Sequence, residues 1–180
     1  MKKGKVNVLI DGQWGSTGKG KIAGFLAHKF HPEVVAAMSS PNAGHTYVAD
    51  DGSEVMLKQL PISAINKNAT VLMTPQCVID PERFLKEVEM MDCANRIFVH
   101  PHAAVVTEAH KEQERQSMNR ISSTCQGTGA ALQNRMMRDP ASVACNHPLI
   151  QKFCADTGSL ILQACQTGKT TRLEVRQGCG

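Results

Sequence analysis

Apolar positions along the chain fall into two kinds of run: short β-branched stretches bounded by Gly, Pro, Asn or Asp, and longer stretches in which apolar residues recur at helical spacing. The first kind predicts strands at residues 6–10, 34–38, 70–73, 96–99 and 172–175. The stretch at 6–10, with Val6, Val8, Leu9 and Ile10, reads as a buried strand. The second kind predicts a helix from Lys19 to roughly Phe30 with Ile22, Leu26 and Phe30 on the core side. Another begins at Asp80-Pro81-Glu82, a capping carboxylate followed by proline in the first turn, and buries Phe84, Leu85, Val88 and Met91. Thr46-Tyr47-Val48 and Val55-Met56-Leu57 flank Asp50-Asp51-Gly52, which predicts a tight hairpin. A helix from Thr107 to about Met118 is charged on most faces and is expected to be exposed, and Leu160-Ile161-Leu162 reads as the close of a further helix. Alternating strands and helices predict an α/β fold: a mainly parallel central sheet with flanking helices and a β-hairpin.

The richest punctuation follows the first strand. Gly12, Gly15, Gly18 and Gly20 allow a tight turn with exposed N–H groups, and Lys19 and Lys21 add positive charge where a helix N-terminus already favours an anion. This P-loop-like glycine-rich loop is not a Walker A motif, because five residues separate Gly12 from Gly18 and Lys19 is followed by Gly20. On spacing alone, a phosphate site and a plain strand-to-helix connection both stay open.

Composition narrows the classes. With 180 residues, 42% of them hydrophobic, the chain can bury one substantial core, so a single domain over 1–180 is the expectation. A net charge of +4 with 4% aromatic residues gives neither a basic stripe nor stacking rings, so no nucleic acid is expected as a partner. Seven cysteines without a CxxC pair argue against zinc and against a disulfide framework. His100 and His102 lack a third ligand at a recognisable spacing. No apolar run approaches transmembrane length and the N-terminus does not read as a signal peptide, so a cytoplasmic protein without membrane association is expected.

Gln13-Trp14-Gly15, Gly18-Lys19-Gly20-Lys21 and Pro41-Asn42-Ala43-Gly44-His45-Thr46 together resemble the adenylosuccinate synthetase family, whose signatures are QWGDEGKGK and NAGHT. Ser16 stands where that family carries its aspartate base, and Thr17 where it carries glutamate. This pattern is similar to the family's phage branch, the 2-amino-2'-deoxyadenylosuccinate synthetases, which use dGMP in place of IMP. The resemblance implies a ligase that moves a γ-phosphate from ATP to the base's O6 and then displaces it with the amino group of L-aspartate. Mg²⁺ is the implied cofactor, a homodimer the implied assembly, and the host cytoplasm the implied location of a phage product.

Residue roles follow from the same resemblance. Lys19 matches the lysine on the transferred phosphoryl group, His45 the catalytic histidine, and Gly44 the glycine whose carbonyl binds Mg²⁺. Thr124 matches a threonine on the nucleotide's 5'-phosphate, and Arg138 an arginine that reaches this phosphate from the partner subunit. Gln177 matches a glutamine that stabilises the 6-phosphoryl intermediate. The remaining implied nucleotide contacts are Gly15, Ser16, Thr17, Gly18, Gly20, Asn42 and Thr46.

Ser16 cannot act as a base at neutral pH, because an alcohol's pKa is too high. It leaves space and an acceptor for an exocyclic 2-amino group, and its hydroxyl could sit near Mg²⁺. Asp11 is read as capping the strand end. The resemblance runs from about Val6 to Gly180 and covers the N-terminal half of the family's length, so a chain truncated at its C-terminus is expected. An ordinary adenylosuccinate synthetase, using IMP and GTP, and a non-catalytic nucleotide-binding fragment are the alternatives. A conventional P-loop kinase or GTPase is disfavoured by the loop spacing.

Overall fold

Five parallel strands form the central sheet in the order β1-β9-β2-β5-β7: β1 (Val6–Leu9), β2 (Val34–Met38), β5 (Thr70–Met73), β7 (Ile97–Val99) and β9 (Thr171–Val175). This architecture comes from a computed structural model that describes residues 1–13, 17–49, 51–117 and 124–175. The expected hairpin is present as β3 (His45–Val48) and β4 (Glu54–Leu57), with Thr46 opposite Met56. Gly52 takes the left-handed φ of 83° that the turn requires. A second small pair, β6 (Val78–Ile79) and β8 (Ala104–Val105), is parallel.

Helices cover both faces. Val71, Met73, Ile97 and Val99 point to one side, where α1 (Lys19–Phe30) contributes Ala23 and α2 (Pro81–Met90) contributes Phe84 and Val88. Val34, Ala36 and Leu72 point to the other, against Ala164, Leu160 and Ile161 of α5 (Thr157–Gln166). Leu160–Leu162 therefore lies within this helix rather than at its close. Asp80 caps α2 as expected, its carboxylate accepting from the Arg83 N–H at 3.2 Å.

Two expectations about burial are overturned. β1 is an edge strand among the described residues, and its alternate side chains Val6 (39% exposed) and Val8 (56%), with Ile10 (55%) just after it, lie on a face that the core packing of Leu9 does not reach, so that face is not buried. An apolar run alone does not distinguish the edge of a sheet from its centre. In α1, Ile22, Phe25 and Phe30 face outward, and the packed face is Gly20, Ala23, Gly24 and Ala27. A β-carbon on Gly24 would lie 2.1 Å from Tyr47 Cδ2, so the small face exists to let the hairpin lie directly on the helix.

α3 (Glu108–Ser117) was expected to be exposed, yet His110 and Glu114 are each only 4% exposed. They serve its neighbour α4 (Thr128–Met136). The Glu114 carboxylate accepts from the N–H groups of Gly127 (2.7 Å), Gly129 (2.7 Å) and Ala130 (3.3 Å), supplying the cap that Gly127 cannot. His110 Nδ1 accepts from the Thr107 N–H at 3.1 Å, and its Nε2 lies 2.9 Å from the Asn134 side-chain amide of α4.

Burial holds the pKa of His110, and also of His45, His100 and His147, below the ordinary 6.5. An unfolded chain therefore takes up these protons first as pH falls. Stability present above pH 6.5 is lost as pH drops through the folded-state values. Calorimetry should show the melting temperature falling by some degrees between about pH 7.5 and about pH 5.5. A flat profile across that window would contradict neutral burial of these rings.

Candidate functional site

The loop after β1 converges on one ion pair. Lys19, the first residue of α1, places its Nζ 2.9 Å from the Asp11 carboxylate, and the Thr17 hydroxyl donates to the same carboxylate. The Lys19 and Asp11 side chains are 6% and 10% exposed. Burial works against the Asp11 charge, but the Thr17 hydroxyl and the Lys19 ammonium outweigh it and hold the carboxyl below its usual range. Asp11 thus binds the loop's own lysine and threonine, rather than only capping a strand end. Gly18 precedes the helix at a left-handed φ of 78° with no side-chain cap, so among the described residues no side chain caps the first α1 N–H groups.

The Asn42–Thr46 segment meets this loop through Gly20. A β-carbon at Gly20 would fall 2.7 Å from His45 Cβ and 3.1 Å from its Cα, so the hairpin's first residue rests on the first turn of α1. Lys19, Gly20, His45, Ser39, Lys58 and Glu174 border a shared cavity. Burial, reinforced by the Lys19 charge, keeps the His45 imidazole below its ordinary pKa, against the opposing pull of Glu174 and Asp11. The ring is therefore neutral at neutral pH and can donate or accept a hydrogen bond beside a fixed cation.

Gly44 is exposed next to Lys58, and Thr46 is exposed on β3. The Asn42 amide oxygen accepts from the hydroxyls of Thr124 (3.2 Å) and Thr128 (2.8 Å), which brings the start of α4 to the same corner. Arg83 reinforces that junction, donating to the Pro41 carbonyl (3.0 Å) and the Gln126 side chain (3.2 Å). Arg138 is elsewhere: exposed, at a φ of 62°, it borders a separate pocket with Arg135, His102 and Asp139. Gly15, Ser16 and Gln177 lie outside the described residues. His100 and His102 sit with ring centroids 5.6 Å apart, and among the described residues no three His, Cys, Asp or Glu side chains cluster as a metal site would.

Sequence reasoning missed Glu174. It stands on β9 beside the cavity, accepts from the Ser63 N–H at 3.2 Å, and pairs with the buried Arg172 at 3.1 Å. Arg172 also donates to the Ala23 carbonyl and the Ser63 hydroxyl. The available signal was the spacing: opposite charges two residues apart in a strand share one face, and a pair on a sheet's inner face is a buried pair. It also missed Glu87, whose carboxylate accepts from the Lys58 (2.7 Å), Gln59 (3.0 Å) and Leu60 (2.8 Å) N–H groups and so fixes the cavity wall leading from β4.

With this geometry in view, three comparisons are informative. The pattern of the family described as Adenylosuccinate synthetase matches residues 8–148. An N6-succino-2-amino-2'-deoxyadenylate synthase of Vibrio phage phiVC8 is 39% identical over 143 residues, 76% of this chain and 42% of that one. An adenylosuccinate synthetase of Archaeoglobus fulgidus is 33% identical over 177 residues, covering 96% of this chain and 52% of its own length. Among solved structures, the succinoaminodeoxyadenylate synthetase of Cyanophage S-2L, bound to dGMP and to dATP as an energy donor, superposes with a TM-score of 0.80 at 31% identity. That superposition covers 97% of this chain and 52% of the other. The chain thus spans about half the length of the relatives it matches.

Proposed function

Because the chain belongs to the adenylosuccinate synthetase family, a family of C–N ligases, we propose that it is the nucleotide-binding part of an enzyme joining L-aspartate to C6 of dGMP. The product would be 2-amino-2'-deoxyadenylosuccinate, formed through a 6-phosphoryl intermediate with ATP or its deoxy counterpart as donor. The observation that carries this reading is the likeness to phage synthases, one of them solved with dGMP and dATP, in a chain with serine at position 16.

Each described group has a task suited to its chemistry. Phosphoryl transfer is chiefly positioning and charge neutralisation, so the Lys19 ammonium and the open N–H groups of the loop hold the moving phosphoryl group. His45, neutral and adjacent, hydrogen-bonds its oxygen. Asn42 and Thr124 form the corner that takes the 5'-phosphate of dGMP. Arg138, outside that corner, suits the cross-subunit contact of a homodimer.

Gly44 and Ser16 offer the hard oxygen donors Mg²⁺ takes, and the absence of a side-chain cluster among the described residues fits an ion held mainly by nucleotide phosphates. Mg²⁺ would supply further neutralisation of phosphate charge. We place the enzyme in the cytoplasm, the host's if a phage encodes it. Among the described residues no helix is long and apolar enough to cross a membrane.

The test is phosphate release in the presence of L-aspartate and ATP, with dGMP and IMP compared, together with calorimetric binding of both nucleotides. Preference for dGMP supports the reading, whereas equal use of IMP makes an ordinary adenylosuccinate synthetase the better assignment. Ser16→Asp should move the preference toward IMP, since a carboxylate restores a base for N1 and crowds the 2-amino group. The expected change is roughly tenfold to two-hundredfold in the ratio of kcat/KM.

A further inference from the structure

Lys19 is 7% exposed, and its only ionic partner among the described residues is Asp11. An ammonium buried this far needs a counter-charge whenever no anion occupies the loop, and Asp11 supplies it. A bound phosphate brings its own negative charge, and the carboxylate then becomes a like-charged neighbour of the ligand. Asp11 has somewhere to go: together with Lys19, Gly12, Gln13, Thr17 and Ile22 it lines a cleft of about 440 Å³.

We propose that Asp11 is an electrostatic latch on Lys19, held in place by the Thr17 hydroxyl, which phosphate must displace to reach the lysine. The proposal rests on the reading of this loop as a phosphate site. The latch keeps Lys19 neutralised while the site is empty. It holds polyphosphate affinity below what Lys19 and the loop N–H groups would otherwise give, and it returns to the lysine as phosphate leaves.

Isothermal titration of the 180-residue chain with inorganic tripolyphosphate at low salt tests this. Asp11→Asn keeps the shape and an acceptor for Thr17 but removes the charge, and it should tighten tripolyphosphate binding about tenfold, the scale of one charge-assisted contact. Lys19→Met should abolish binding in both backgrounds. Without ligand, Asp11→Asn should melt at a lower temperature than the parent and recover more on addition of tripolyphosphate. Equal or weaker binding by a folded Asp11→Asn protein, judged by circular dichroism, overturns the latch. Should that variant not fold, Thr17→Val, which loosens the carboxylate without removing it, is expected to tighten binding by a smaller factor; unchanged or weaker binding counts against the proposal. If parent and Lys19→Met bind tripolyphosphate alike, or neither binds it, the phosphate-site reading fails first and the latch falls with it.

Discussion

In an enzyme of the family's full length, replacing His45 with alanine is expected to lower aspartate-dependent phosphate release by about 10²–10⁴-fold, the range for loss of a positioned acid–base group. The affinity for dGMP should stay within a few-fold of the parent. The ring stands on Gly20, beside Lys19, whereas the 5'-phosphate is proposed to bind at the Asn42–Thr124 pair, so the effect of the ring is assigned to transfer rather than to capture. The measurement is kcat against KM for dGMP: a rise in KM at constant kcat would make His45 a binding group. Because burial and Lys19 lower the imidazole pKa in the free protein, the acid limb of kcat/KM should lie below pH 6.5. His45→Ala should remove that limb from whatever activity remains.

The second large effect is on stability. In a free helix, glycine to alanine gains about 1 kcal/mol in propensity. At Gly24 the new β-carbon would sit 2.1 Å from Tyr47 Cδ2 and 2.3 Å from Cγ, the base of the ring rather than its free end. Either the ring leaves its rotamer or the hairpin lifts from α1. Overpacking of this kind costs about 1–3 kcal/mol and outweighs the propensity gain. Denaturant unfolding should therefore show Gly24→Ala to be net destabilising. In a Tyr47→Ala background the same substitution should recover most of its penalty, because the clash partner is gone. Additive penalties in that cycle would show that the ring is not the obstacle.

The strands, the hairpin and the capped start of α2 were legible because each depends on local pattern: β-branched runs, an Asp-Gly turn, an Asp-Pro cap. The loop and the Asn42–Thr46 segment stood out in the sequence because glycine spacing and lysine placement are themselves local. Features that depend on distant partners were not. Ile22, Leu26 and Phe30 obey helical spacing, yet the face that packs is the one bearing two glycines, since the hairpin approaches too closely for larger side chains. Glu114 and His110 read as solvent-facing charge in a polar helix, and only the arrival of α4 gives them buried partners. Asp11 and Lys19 lie eight positions apart across a turn, a distance at which sequence offers no rule for pairing.

The position of β9 bears on how the molecule assembles. The last strand described lies between the first two, and Val6 meets its only described neighbour, Thr171, across almost the whole chain. During synthesis, β2, β5 and β7 can pair through their short crossovers while β1 still waits. Closing such a long loop is slow, and until it closes β1 shows an unpaired edge with apolar side chains to its surroundings. Asp11 and Lys19, which flank the glycine loop after β1, therefore come together late in the assembly of the proposed nucleotide corner. Whatever folds this chain in the cell meets a half-built sheet waiting for the strand that joins β1 to β2.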